Sequence, residues 1–284
     1  YFDQHARALY STDGMLYQIE PLGEVSPKTV DDVCVGVQLA AESGAPLPEY
    51  HWSFDGIFGH FDLAAAQRGL QVYREVCAGC HSLRFVAFRD LAGLGYDEEQ
   101  IKAFAAQATV TDGPNEDGEM FERAGLPSDR FPSPFPNAKA AAAANGGAAP
   151  PDLSLMAKAQ PGGASYIRAL LTGYMETPPA DFLADYKEQH KEEFELLDGQ
   201  NFNLYFPGNK IAMAAPLFEG GVEYQDGTEA TIDQMAADVS HFLMWTAEPK
   251  LEQRKRTGLK VILFLLVLTG VLYAVKRKIW ADLH

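Results

Sequence analysis

The sequence predicts a mainly α-helical, loop-rich domain that is joined to a single C-terminal transmembrane helix. Amphipathic patterns that begin near Asp62 and Thr231 predict helices at the two ends of this domain. Pro- and Gly-rich segments between them, such as FPSPFP at 131–136, favour turns. An apolar run at 259–275 supplies the third observation, because it is nearly long enough to cross the hydrocarbon core of a bilayer.

The first predicted helix begins after Asp62, whose side chain can cap its free N–H groups. Apolar residues then recur at helical spacing: Leu63, Ala66, Leu70, Tyr73 and Cys77. This stripe directs Cys77 toward the core. Gly69 inside the helix costs about 1 kcal/mol relative to alanine, unless a second helix must approach closely there.

The second helix is predicted near the end of the domain, where Thr231 and Gln234 form a capping-box pattern. One apolar face follows, made of Ile232, Met235, Ala236, Val239, Phe242 and Leu243. The helix is expected to end near Trp245 and Pro249. Two such helices that cross each other form the framework of a small all-α domain.

The pentapeptide Cys77-Ala78-Gly79-Cys80-His81 carries the clearest chemical signal of the chain. Two thiols at this spacing can each add to one vinyl group of the same porphyrin, and the adjacent imidazole can then bind the iron. The motif therefore predicts one covalent haem c, and the expected fold is a loop-rich class I cytochrome c-like haem domain.

Two other interpretations of the motif are a zinc half-site and a thioredoxin-like redox dithiol. Zinc needs two further ligands, and the third cysteine, Cys34, has no histidine at finger spacing. A redox dithiol favours a βαβ setting, whereas the residues before Cys77 have a helical pattern. Cys34 itself lies among apolar residues, which favours a buried side chain over a reactive thiol.

The C-terminal apolar run predicts how the chain is anchored. Residues 259–275 cover roughly 25 Å as a helix, just short of a ~30 Å hydrocarbon core. Lys260 can extend to the interface, and Trp280 offers an interfacial anchor. The basic clusters at 254–256 and 276–278 balance each other, so they do not orient the span.

The haem motif orients the span instead, because haem c is attached on the oxidising side of an energy-transducing inner membrane. We expect the haem domain, residues 50–249, in the periplasm or intermembrane space. The anchor comprises 250–280, and the tail 281–284 lies in the cytoplasm or matrix. Residues 1–49 form an N-terminal extension to which the sequence assigns no role.

Charge is distributed unevenly along the chain. The net charge is −16, and residues 250–284 hold eight Lys/Arg against two Asp/Glu, which leaves −22 for residues 1–249. Such a domain repels nucleic acid and attracts a basic partner protein at salt-dependent rates. The alternative is an acidic surface that serves solubility alone.

A second axial iron ligand is sought among the seven methionines and the six remaining histidines, and Met213 is the favoured candidate. It lies in the segment YFPGNKIAMAAPL, where prolines stiffen the backbone and no helix directs the side chain. Met235 and Met244 fall on the last helix and suit packing, while Met120 and Met156 lie in turn-rich segments and stay open as alternatives. A thioether favours Fe(II) and raises the potential, whereas a second histidine lowers it.

Several motifs in order resemble the cytochrome c1 family, the haem c subunits of cytochrome bc1 complexes. The resemblance extends from about Tyr50 to Trp280. It is carried by RGLQVYREVCAGCHSL, DGPNEDGEMF, ANGGAAPPDLS, LLTGY, IAMAAPL, VEYQDGTEATIDQMAADVSHFLMWTAEP and RKRTGLK.

This resemblance implies an electron-transfer subunit within a quinol–cytochrome c oxidoreductase, with no acid or base catalyst of its own. The implied electron donor is the Rieske iron–sulfur protein, the acceptor is a soluble or tethered cytochrome c, and the further partners are cytochrome b, membrane lipid and a second protomer of a homodimeric complex. The implied haem-binding residues are Cys77, Cys80, His81, Asn145, Pro150, Pro151, Tyr166 and Met213.

Within that set, the two cysteines attach the haem and His81 and Met213 ligate the iron. Asn145, Pro150 and Pro151 line the crevice, and Tyr166 contacts a propionate. A different class of function is a free-standing, tail-anchored c-type cytochrome that carries electrons to a terminal oxidase.

Two segments depart from the family pattern. Gln160 stands where an arginine usually faces a propionate, which predicts a lower midpoint potential unless Lys158 substitutes for it. Residues 178–200 form a longer segment, with apolar residues at helical spacing among many carboxylates. This segment is either a docking element for basic cytochrome c or a solvated amphipathic helix.

Overall fold

The computed structural model describes residues 45–281. Cys34, most of the predicted N-terminal extension and the last three residues of the predicted tail lie outside the described residues. The fold-class prediction is confirmed, because the described chain is mainly helical with little sheet and has one C-terminal helix suited to a membrane.

The regular elements within 45–281 are short apart from two helices, of 16 and 30 residues. The α-helices are α1 Leu63–Val72, α2 Glu98–Ala106, α3 Ala138–Ala144, α4 Met156–Ala159, α5 Gly163–Thr172, α6 Ala180–His190, α7 Ile232–Ala247 and α8 Leu251–Trp280. A π-helical turn, Tyr73–Cys77, extends α1, and a 3₁₀ helix spans Phe88–Leu94. Two antiparallel pairs complete the set, β1 Thr109–Asp112 with β2 Phe121–Ala124, and β3 Asn201–Phe202 with β4 Lys210–Ile211.

The crossing of α1 and α7 forms the centre of the domain. An added Cβ on Gly69 would lie 2.0 Å from the Asp238 carbonyl oxygen, so only glycine allows the two backbones to meet. Gly69 is therefore explained by the close approach of a second helix, as the sequence analysis required. The predicted caps are also present, since Asp62 accepts from the Ala64 N–H at 3.0 Å and Thr231 Oγ1 accepts from the Gln234 N–H at 3.1 Å.

An ion pair is enclosed within this crossing. Arg68 on α1 donates from Nε to Asp238 Oδ2 at 2.9 Å, and Asp238 is 1% exposed. The same guanidinium reaches the surface carboxylate of Asp226 at 2.9 Å. The pKa of Arg68 is raised, chiefly by its hydrogen bond to Asp238, so the guanidinium stays charged.

The sequence predicted one apolar face on α7, yet the structure buries the helix almost all round. Asp238, Ser240, His241 and Thr246 are buried along with the apolar residues. The reason is that α1, α4 and α5 pack against different sides of α7. The polar residues therefore mark contacts with neighbouring elements rather than a solvent face.

The predicted helix in 178–200 is present but shorter than its pattern. Helix α6 ends at His190, and none of its residues is buried. Its aromatic residues form a small cluster with Phe194 and Phe202, with ring centroids 5.0 Å apart for Phe182 and Phe202. This cluster attaches α6 to β3 outside the main core.

Helix α8 continues for 30 residues, and the apolar run forms its middle. None of the side chains of its apolar window is buried against the rest of the described chain. Leu251, at its first turn, is buried against the domain at 3% exposure. The first turn of the helix therefore packs against the domain. Its middle is apolar on all sides and suited to span a bilayer.

Candidate functional site

The Cys-x-x-Cys-His motif begins at the last residue of the π-helical turn that follows α1. The Ala78 N–H reaches the Tyr73 carbonyl at 2.7 Å, and the His81 N–H reaches the Cys77 carbonyl at 2.9 Å. The chain thus leaves the helix in a tight turn that carries both thiols and the imidazole. Single-turn π-helices are frequent at functional sites, and no sequence signal revealed this one.

Neither Cys77 nor Cys80 forms a disulfide bond with another described cysteine. Cys77 packs against the hydrophobic core, as the stripe on α1 predicted, and Cys80 is exposed. Burial, with a smaller contribution from Cys80, raises the pKa of Cys77 to about 12. The two thiols therefore face different environments, one apolar and one accessible, which suits attachment along the edge of a largely apolar ring.

His81 is held in the orientation that a metal ligand requires. Its Nδ1 lies 2.8 Å from the Pro151 carbonyl oxygen, to which it donates as Nδ1–H. The lone pair on Nε2 is then available to a metal, and the hydrogen bond increases its donor strength. Burial lowers the pKa of His81, so the ring stays neutral, as ligation demands.

The Pro151 carbonyl is in turn fixed by a ladder of bonds that the sequence did not reveal. Ser82 Oγ donates to Asp152 Oδ2 at 2.8 Å, and the Leu153 N–H donates to the Ser82 carbonyl at 2.9 Å. The Phe85 N–H also reaches Ser154 Oγ at 3.1 Å. Residues 151–154 are thereby clamped beside the motif, and Asp152 is the main residue that sequence reasoning missed.

Met213 lies in an irregular segment after β4, as predicted, and is half-buried. Its carbonyl oxygen accepts from Tyr174 Oη at 3.1 Å and from Asn201 Nδ2 at 3.4 Å. The backbone is thus fixed while no helix restricts the side chain. Its role as an iron ligand stays a prediction.

The other methionine candidates differ in their surroundings. Met156 is 9% exposed and belongs to the core, and Met120 is 60% exposed beside β2. Met235 is fully buried at the helix crossing, as its packing role required.

A buried pair of asparagines supports the segment that leads to Met213. Asn203 Oδ1 accepts from the Tyr205 and Phe206 N–H groups, and its Nδ2 donates to the Leu170 carbonyl at 2.8 Å. Asn209 Nδ2 donates back to the Asn203 carbonyl at 3.1 Å, from a backbone with φ +60°. The turn before β4 is therefore closed by side chains. The sequence signal was only two asparagines flanking a Pro-Gly pair.

The remaining predicted haem contacts occupy three separate elements. Asn145 ends α3, where its Nδ2 donates to the Ala141 carbonyl at 2.8 Å. Pro150 adjoins the clamped residues 151–154, and Tyr166 is half-buried on α5. Of the set, the structure joins Pro151 directly to His81, and the haem contacts of the other three stay predictions.

Gln160 ends α4 and is half-buried. The side chain proposed to replace the usual arginine, Lys158, lies 3.7 Å from Glu248 Oε2. Glu248 also pairs with Arg254 at the start of α8. Lys158 is therefore engaged in joining α4 to the end of α7, and the expectation of a lower midpoint potential is retained.

The donor set present fits a covalently attached haem. Cys77 and Cys80 share one turn and are not paired in a disulfide, and the imidazole beside them is neutral with its Nδ1–H bonded to a carbonyl oxygen. Zinc lacks support in 45–281, since no group of three or more potential metal-binding His, Cys, Asp or Glu side chains occurs there.

Comparison with known proteins gives the same answer. The sequence model of the Cytochrome C1 family matches residues 52–283. A cytochrome c1 of Rhodospirillum rubrum is 50% identical over 250 residues, which cover 87% of this chain and 92% of the relative. The mitochondrial cytochrome c1 haem protein of Saccharomyces cerevisiae is 47% identical over 253 residues, 89% of this chain and 78% of its own length.

A longer relative also matches. The protein named cytochrome b/c1 from Bradyrhizobium diazoefficiens is 49% identical over 254 residues. The match covers 86% of this chain but 37% of that protein.

Proposed function

Because this chain belongs to the cytochrome c1 family, we propose that it receives an electron from a Rieske iron–sulfur protein and passes it to a cytochrome c during quinol oxidation. The family itself establishes the coarser role. The chain is the membrane-anchored, haem c electron-transfer subunit of a cytochrome bc1 complex, and it carries one covalently attached haem c. It takes part in catalysis only as a subunit of that oxidoreductase.

The observation that best supports the haem ligation is the bond from His81 Nδ1–H to the Pro151 carbonyl. It leaves Nε2 as the donor atom and holds the imidazole plane against the clamped residues 151–154. In the proposed site Cys77 and Cys80 hold the porphyrin, and His81 and Met213 ligate the iron. When bound, the haem supplies a one-electron couple that exchanges electrons across its exposed edge.

The protein residues tune and position the couple rather than move protons. Burial keeps His81 neutral, and the Tyr73 hydroxyl donates to the His81 carbonyl at 3.1 Å, which fixes the backbone of the ligand. A thioether from Met213 favours Fe(II), as a high-potential acceptor requires. Asn145, Pro150 and Tyr166 complete the crevice in this proposal.

The arrangement in the membrane follows from the same proposal. The haem domain, residues 50–249, lies on the periplasmic or intermembrane-space side, and α8 within 250–280 anchors it, with the C-terminal tail on the other side. Cytochrome b is a natural neighbour, since a relative joins cytochrome b and c1 in one protein. The complex is proposed to be a homodimer.

Charge supports a basic acceptor. Residues 1–249 carry a formal −22, which accelerates encounter with a positively charged cytochrome c and makes the rate fall with added salt. We expect deletion of 181–198, which removes nearly all of α6 and the acidic residues after it, to lower cytochrome c reduction at low salt. An unaltered rate assigns this segment to a solvated surface instead.

Redox difference spectra of the chain, purified from its native membrane in mild detergent, test the proposed function. We expect ascorbate to reduce a c-type band and dithionite then to reveal two b-type haems for each c haem. A c-type band alone contradicts membership of a bc1 complex and favours a tail-anchored carrier. A Met213→Leu variant, with Met120→Leu as the matched control, then tests the axial ligand through loss of the high midpoint potential.

A further inference from the structure

A short loop between Trp52 and Phe61 closes on itself beside the start of α8. The His60 N–H donates to the Ser53 carbonyl at 3.0 Å, and the Asp55 N–H donates to the Trp52 carbonyl at 3.0 Å. An added Cβ on Gly59 would lie 2.0 Å from the Asp55 carbonyl oxygen, so the two arms of the loop touch. The loop is therefore a fixed shape rather than a loose connection.

The base and the tip of this loop differ sharply in exposure. Trp52, Phe54 and Phe61 at the base are 8%, 6% and 6% exposed. Ile57 and Phe58 at the tip are 66% and 82% exposed, and Phe58 is the most exposed large apolar side chain in 45–281. A neighbouring apolar pair held outward on a closed loop is typical of a contact surface.

The loop is hydrogen-bonded to the first two turns of the membrane helix. Lys255 Nζ donates to the Phe54 carbonyl, and the Phe61 N–H donates to Glu252 Oε1 at 2.9 Å. The apolar run of α8 begins at Leu259, four residues after Lys255, which is about 6 Å along the helix axis. The headgroup layer on each side of the hydrocarbon core is roughly 5–8 Å thick, so the base of this loop lies close to that layer.

We propose that the Ile57–Phe58 tip is a second membrane contact, which inserts into the interfacial layer of the bilayer next to α8. Continuity with the transmembrane helix supports lipid as the occupant, because the loop is bonded to the segment that enters the bilayer. The exposed Arg256 on the same stretch of α8 suits lipid phosphates. Apolar and aromatic side chains beside basic residues are the usual composition of interfacial contacts.

The contact has a mechanical consequence for the domain. A single transmembrane helix leaves the domain, together with the first turns of α8 that are bonded to it, free to tilt relative to the membrane plane. A second contact at the loop tip, beside the segment of α8 that carries Glu252 and Lys255, fixes this tilt. The orientation of the haem motif at the end of α1 is then fixed too, since Asp62 caps α1 directly after this loop.

Depth-dependent fluorescence quenching in the assembled complex tests the proposal. In a Cys34→Ser background, Phe58→Cys is labelled with an environment-sensitive fluorophore, and the complex is placed in phosphatidylcholine nanodiscs. Interfacial groups lie about 5–10 Å into the headgroup and acyl boundary, so a nitroxide on the upper acyl chain is expected to quench roughly half of the signal. Aqueous iodide is expected to quench it weakly.

Phe218→Cys is the matched control, because Phe218 is 64% exposed on another part of the domain. It is expected to respond to iodide and not to the lipid nitroxide. Strong iodide quenching at position 58 overturns the proposal, because the tip then faces water. Protection from both quenchers also overturns it, because a protein neighbour then covers the tip.

The same measurement with Ile57→Cys keeps the test available if the Phe58 variant does not assemble. The ascorbate-reduced c-type band, recorded on each labelled sample, reports separately on the haem and the complex. A normal band with iodide-accessible labels at both positions therefore rejects the membrane contact without touching the electron-transfer proposal.

Discussion

The α1–α7 crossing and the α6 region arise from similar sequence patterns but differ in what covers them. Apolar residues recur at helical spacing in both, yet the crossing buries Leu70, Met235 and Phe242 at 1% exposure or less, while α6 buries none of its residues. The difference is backbone approach. Gly69 lets α1 and α7 meet closely, whereas α6 contacts β3 through aromatic rings. Helical periodicity identifies a face, and only tertiary contacts decide whether that face stabilises the domain.

Gly69→Leu is the strongest test of the crossing. The added side chain would overlap the Asp238 backbone, which cannot move without displacing α7, so we expect loss of more than about 3 kcal/mol and little assembled holoprotein. Membrane c-type haem content measures the effect. Gly258→Ala on α8 is the control, because an added Cβ there has no atom within 4 Å. Equal haem content in the two variants would contradict a close crossing.

Asp238→Ala probes the ion pair inside the crossing. Removing one partner of a buried pair leaves the other uncompensated, and we expect a loss of about 3 kcal/mol in unfolding free energy. Arg68 keeps the surface carboxylate of Asp226, which limits the damage. Urea unfolding of the reduced protein measures it. The control Asp226→Asn, at a 44% exposed side chain, should shift the midpoint far less. Similar shifts in both variants would mean that the buried Arg68–Asp238 bond contributes no more to stability than the surface Arg68–Asp226 bond.

His241 distinguishes the two regions by pH. It is 4% exposed and its Nε2 accepts from the Asp62 N–H at 3.0 Å, so it must stay neutral. Burial lowers its pKa, against smaller opposing effects of Asp62 and Asp238. Its contribution is thus complete above about pH 6.5 and is lost as pH falls toward the lowered value, by at most about 1.4 kcal/mol per pH unit.

Thermal unfolding at pH 7.5 and 5.5 measures this contribution. His241→Gln should show a flatter pH profile than the unchanged chain, at a lower overall stability. His190→Gln on exposed α6 should keep the original profile, because that ring lies outside the core. If the two variants behave alike, the crossing does not carry the acid sensitivity.

The smallest effect is expected within α6 itself. Phe182 is half-buried against Phe202. Phe182→Ala should therefore lower the free energy of local opening of α6 by about 1 kcal/mol and leave the haem content intact. Local proteolysis after α6 should rise without a shift of the global midpoint. Leu197→Ala, at a 70% exposed site, is the neutral control. Loss of haem on Phe182→Ala would show that α6 belongs to the core after all.

Local rules predicted the parts of the fold that depend on neighbouring residues. The caps at Asp62 and Thr231 and the purpose of Gly69 followed from spacing, propensity and helix sterics. The haem motif and its histidine were likewise visible as a pattern. The contacts that fix His81 come from residues distant in sequence. The Pro151 carbonyl lies 70 positions from His81, and no sequence pattern near Pro151 identifies it as the hydrogen-bond acceptor.

Two other features lay beyond sequence reasoning for different reasons. The nearly complete burial of α7 depends on three neighbours packing at once, which one helix's pattern cannot report. The Asn203–Asn209 closure before Met213 uses side chains in place of backbone pairs, and asparagine is common in any turn. Asp152 was similarly hidden as one carboxylate among many.

The π-helical turn at Tyr73–Cys77 determines the direction in which the following residues leave the helix. A regular α-helix turns each residue by about 100°, and the wider turn accommodates one extra residue without lengthening α1 by a full step. Cys80 and His81 therefore leave the helix at a different azimuth from the one that regular winding would give. Deleting one of residues 73–76 would leave the Cys-x-x-Cys-His sequence intact. It would nevertheless rotate Cys80 and His81 away from residues 151–154.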